Sequence, residues 1–133
     1  MTVRIQAKLV NITFIQAYAP TNDADAQQTQ AFYQLLSKTQ KSAKSGDMVI
    51  TMGDFNAKIP REHDNERGHV SMYGQGERSD NGDALVEFAV AHDLRMMNTF
   101  YKQHPRRLFT KCDTIEACMA RNQIRLMFDE IKF

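Results

Sequence analysis

No tryptophan occurs among the 133 residues, and the chain holds only two cysteines, three prolines and six glycines. Cys112 and Cys118 form a lone pair, and no secretory pattern stands at the amino terminus, so two free thiols are expected rather than a disulfide. The Asn11-Ile12-Thr13 glycosylation pattern carries no weight for the same reason. No apolar run approaches the length that crosses a bilayer. Neither sign of charge dominates: 17 Lys and Arg balance 16 Asp and Glu, for a net charge of +1. That excludes a strong whole-molecule attraction to nucleic acid. Only the stretch from Tyr101 onward is basic, with seven Lys/Arg against four acids. The four histidines, His63, His69, His92 and His104, lack metal-ligand spacing, and solvated or packing roles are expected of them.

What is present fits one soluble globular domain, at 42% hydrophobic and 25% charged residues. Residues 3–9 alternate apolar and polar, as a half-buried strand does. A tight reversal at Val10-Asn11 and a second strand over 12–18 complete a predicted hairpin. Pro20 ends it, and Thr21, Asn22 and Asp23 are N-cap candidates for a helix over 24–44. Its apolar face is read as Ala31, Phe32, Leu35 and Leu36, and Ser45-Gly46-Asp47 as its stop. A strand over 48–53 follows, then a polar stretch over 57–80 that reads as one long surface loop. Asp80 and Asn81 are expected to cap a helix over 82–92 that buries Leu85, Phe88 and Ala89. Leu94 to Met97 read as a short strand, and Leu108-Phe109-Thr110 as another candidate. The order β-β-α-β-loop-α-β predicts an α/β fold with right-handed crossovers in a parallel or mixed sheet.

The most informative segment is Val49-Ile50-Thr51-Met52-Gly53-Asp54-Phe55-Asn56-Ala57-Lys58-Ile59. An apolar strand stops at Gly53, and alternation predicts that Asp54 and Asn56 point the same way. A carboxylate can activate water, and a carboxamide can hold a phosphate oxygen or orient the carboxylate. The carboxyl ends of strands are where open α/β sheets bind ligands. Tyr18, Asp54 with Asn56, and Asn98 end three successive strands, which is a site-like arrangement. Taken singly, each has an ordinary structural explanation: a core aromatic, a turn former and a capping residue.

Several strings together resemble the endonuclease/exonuclease/phosphatase superfamily, of DNase I-like fold. They are Tyr18-Ala19-Pro20-Thr21, Gly53-Asp54-Phe55-Asn56-Ala57-Lys58-Ile59, Gly74-Gln75-Gly76-Glu77-Arg78 with Asn81-Gly82, Leu85-Val86-Glu87-Phe88-Ala89, Leu94 through Phe100, and Arg121-Asn122-Gln123-Ile124. In order and spacing they are most similar to the endonuclease domain of non-LTR retrotransposons and the related craniofacial development protein-like sequences, over about residues 12–124. The resemblance implies a metal-dependent phosphodiesterase acting on DNA, with Mg²⁺ or Mn²⁺ as cofactor and a nuclear site of action. It gives Asp54 the role of activating or orienting water and of metal ligand. It places Asn56 on the scissile phosphate and Tyr18 beside it, with Asn98 on the nucleic-acid side. Arg78, Arg106 and Arg107 are the candidate phosphate contacts.

The departures matter as much. The family's metal-binding Glu and its closing Ser-Asp-His motif have no counterpart here, so the sequence reads as a partial domain over 1–124 with a divergent tail over 125–133. Arg125 stands where the family has Asp, Lys111 where it has Trp, Pro60 where it has Gly, and Ser71-Met72-Tyr73 where His-Gly is expected. A hard divalent cation prefers several carboxylate oxygens, so low metal occupancy is expected. The sequence therefore predicts an incomplete DNase I-like α/β sandwich with weak or absent cleavage. The rival readings are a non-catalytic remnant and a phosphatase of the same superfamily. Missing strands would leave sheet surfaces uncovered, so marginal stability and self-association are also expected.

Overall fold

A parallel strand pair organises the molecule. The computed structural model describes residues 1–60, 66, 68–74 and 77–102, and the backbone of 124–129. Strand β2 (Ile12–Tyr18) lies parallel to β3 (Met48–Asp54), in register from Ile12↔Met48 to Tyr18↔Asp54. Parallel neighbours need a crossover, and helix α1 (Ala26–Lys41) supplies it. Strand β1 (Thr2–Ile5) pairs antiparallel with β2 on the outer edge. On the other side β5 (Ile124–Asp129) runs antiparallel to β3, and β4 (Leu94–Met96) pairs antiparallel with β5. The result is one five-stranded mixed sheet in the order β1-β2-β3-β5-β4. With α1, α2 (Asp80–Ala91) and the single turn α3 (Met97–Phe100), the architecture is α/β, consistent with a partial DNase I-like domain.

The two faces of the sheet differ. Thr13, Ile15, Val49 and Thr51 point to the helical side and are buried. Beneath them Phe55, Ile59, Leu85, Leu94 and Met96 form the centre of the core. Thr51 Oγ1 donates to Gln40 Oε1 of α1 at 2.9 Å, so this buried polar pair is satisfied. The opposite face carries Val3 and Ile5, which remain 46% and 48% exposed. The half-buried strand expected over 3–9 is thus a short edge strand whose apolar side chains meet solvent, while Ile50, farther into the sheet on the same face, is buried. The hairpin itself is present, with a wider connection over 6–11 in place of a tight reversal.

Helix α1 is shorter than its periodicity suggests. A turn closed by the Ala24 N–H donating to the Thr21 carbonyl delays its start, and Asp25 is the N-cap, accepting from the Gln28 N–H at 2.7 Å. Ser42 closes it, ahead of the Ser45-Gly46-Asp47 stop. Its buried line is Phe32, Leu36 and Gln40, one residue in every four, with Tyr33 beside it. Leu35 falls on the adjacent line and is 66% exposed. Helix α2 buries Leu85, Phe88 and Ala89 as expected, and Val86 as well. Its N-cap is Ser79, whose Oγ accepts from the N–H groups of Gly82 and Lys58.

The stretch read as a surface loop is partly core. Ala57, Ile59 and Val70 are buried, and the His69 carbonyl accepts from the Met96 N–H at 2.8 Å. Ser71 and Tyr73 bond Thr99. Sparse apolar residues in a polar stretch are enough to pin it when each fills a core position. Strand β5 has no counterpart in the predicted order, since its position between β3 and β4 depends on pairing across the sheet. The candidate strand at 108–110 lies outside the described residues, as do Arg106, Arg107, Cys112 and Cys118.

Candidate active site at the strand ends

Tyr18 and Asp54 are direct partners at the carboxyl ends of β2 and β3. Gly53 makes the approach possible. Its φ is +152°, and a Cβ there would sit 1.8 Å from the Ala17 carbonyl oxygen of β2. Beyond this point the two chains stay together, with the Ala19 N–H donating to the Asp54 carbonyl at 2.8 Å. Phe55 is fully buried and stacks edge-on to Phe32, with centroids 6.3 Å apart, which anchors the turn from below.

Strand alternation stops at Asp54. Asp54 Oδ1 accepts the Asn56 N–H at 3.0 Å, an Asx turn, and Asn56 takes φ +46°. Its carboxamide therefore does not follow the Asp54 side chain as strand geometry predicts. It turns inward, is buried, and donates from Nδ2 to the Ala19 carbonyl at 2.8 Å. Tyr18 is 72% exposed and is no core aromatic. A cleft of about 670 Å³ opens beside the pair, lined by Gln16, Ala17, Tyr18, Met52, Gly53 and Asp54 together with Met1.

Asn81 holds the corner together, a role the sequence does not advertise. It sits inside the first turn of α2, is buried, and donates from Nδ2 to the Pro20 carbonyl at 2.9 Å and the Asn56 carbonyl at 3.3 Å. One side chain thus ties the segments after β2 and β3 to the start of α2. Gly82 completes the fit, since a Cβ there would lie 2.1 Å from the Lys58 carbonyl oxygen. The available signal was the surplus of capping residues in Ser79-Asp80-Asn81-Gly82: once Ser79 caps the helix, Asn81 is free for another task.

The other candidates are placed as follows. Asn98 lies in α3, just past β4 rather than at its end. Met96 pairs with Met127, which pairs with Thr51, so β4 ends level with Thr51, two strands across and three residues before Asp54. That spacing is about 10 Å. Arg78 faces away from open solvent. Its two terminal nitrogens donate to both Glu66 oxygens at 2.7 Å, and Nη1 reaches Asp83 at 3.3 Å, with 15% of the side chain exposed. Its charge is spent within the protein, and a phosphate would have to compete with a bidentate carboxylate. Among the described residues no three His, Cys, Asp or Glu side chains gather as a metal site. Asp54 is one carboxylate with one oxygen already engaged, so the described residues do not by themselves fit a resident Mg²⁺, which requires six oxygens in octahedral array. No helix among the described residues is long and apolar enough to cross a membrane.

The chain is similar to craniofacial development protein 2 of Bos taurus, 34% identical over 110 residues, and to that of Tragulus javanicus, 31% identical over 110 residues. Both matches cover 83% of this chain but only 18% and 19% of the relatives, so the chain spans less than a fifth of their length. No protein-family model matches it.

Proposed function

From the motifs that resemble retrotransposon-type endonucleases, the likeness to craniofacial development protein 2 and the geometry of the strand ends, we propose that this chain is related to metal-dependent phosphodiesterases that cleave DNA, and itself cleaves weakly or not at all. The observation that supports this reading is the opposed Tyr18–Asp54 pair, brought together over Gly53 beside an open cleft. In this reading the Asp54 carboxylate orients the attacking water and takes its proton, and the Tyr18 hydroxyl donates to a phosphate oxygen. Asn56 acts by positioning: its N–H fixes Asp54 Oδ1 and its carboxamide fixes the Ala19 carbonyl. A divalent cation would supply charge neutralisation on the phosphate, and most of its ligands would have to come from outside the described residues.

A second reading has support of its own. The inward Asn56 carboxamide and the neutralised Arg78 both favour a folded remnant without catalysis. Nicking of supercoiled plasmid by the folded chain in Mg²⁺ or Mn²⁺, beside EDTA and Asp54→Ala controls, separates the two. Weak nicking abolished in both controls supports the endonuclease. No nicking by folded protein favours the remnant, and phosphate release from phosphoinositides or nucleotides without nicking favours a phosphatase.

A further inference from the structure

We draw no further inference here: the strongest candidate, the open groove between α1 and α2, sets the surface carboxylates of Asp80 and Glu87 against a polar α1 wall of Thr29, Gln30, Gln34 and Ser37, and nothing in the structure shows what covers it.

Discussion

Asn81 offers the sharpest check on how the strand-end corner is built. Its Nδ2 spans two carbonyls from different segments, Pro20 and Asn56, in a buried position. Replacing it with alanine removes two neutral hydrogen bonds, each worth about 1 kcal/mol net. Alanine's better helix propensity returns about 0.5 kcal/mol, leaving a loss of about 1.5 kcal/mol. In a domain of this size that is a fall in melting temperature of about 5 °C. Asn81→Asp keeps the shape but sets an acceptor oxygen against two carbonyl oxygens, so it should cost more than alanine, about 3 kcal/mol at neutral pH. On acidification the protonated carboxyl regains one donor, so the gap between the two variants should narrow. Asp80→Asn, exposed in the same turn, should change stability by less than about 0.5 kcal/mol. Urea titration followed by far-ultraviolet circular dichroism reads all three. An Asn81→Asp variant no less stable than Asn81→Ala at neutral pH would refute the clamp.

Two glycines should separate steric need from backbone strain. Gly53→Ala meets the Ala17 carbonyl and should cost more than about 3 kcal/mol, whereas Gly46→Ala, at φ +85° in open space, should cost only about 1 kcal/mol. Comparable losses in thermal melts would count against the close approach. Tyr33→Phe removes a buried hydroxyl that lacks a partner among the described residues, so stability should rise by up to about 1 kcal/mol. A clear loss would show that the hydroxyl is bonded in solution. The Arg4 guanidinium, at 2.6 Å, and the Thr13 hydroxyl hold the Asp47 carboxyl down at about 2, below the usual carboxylate range. A depressed folded pKa means that this contribution is complete above the unfolded value of about 3.9 and is lost as pH falls from there toward 2. Asp47→Asn should flatten the urea midpoint across that window, and an unchanged acid profile would rule this pair out as a cause. Size-exclusion chromatography of the chain should show self-association through the Val3 and Ile5 face, and a monomer at high concentration would argue that this face is covered.

Much of the fold is legible in the chain because it is locally encoded. The 12–18 and 48–54 runs are apolar on both faces, as central strands must be, and Gly53 marks where one backbone must pass close to another. The buried face of α2 follows from Leu85, Phe88 and Ala89 at helical spacing. Pairing across the sheet is not encoded in any window, so the insertion of β5 between β3 and β4, and the burial of Ile59 and Val70 from a polar stretch, emerge only in three dimensions. The same holds at the site. Sequence alone singled out Tyr18, Asp54, Asn56 and Asn98, because a polar residue closing a strand is a local pattern, and at Asp54 the preceding Gly53 sharpens it. The direct pairing of Tyr18 with Asp54, the inward turn of Asn56, the Asn81 clamp and the neutralisation of Arg78 by Glu66 were decided by the tertiary structure. The physical reason is that a hydrogen bond or ion pair depends on distances of about 3 Å between segments far apart in the chain, and only the packed core sets those distances.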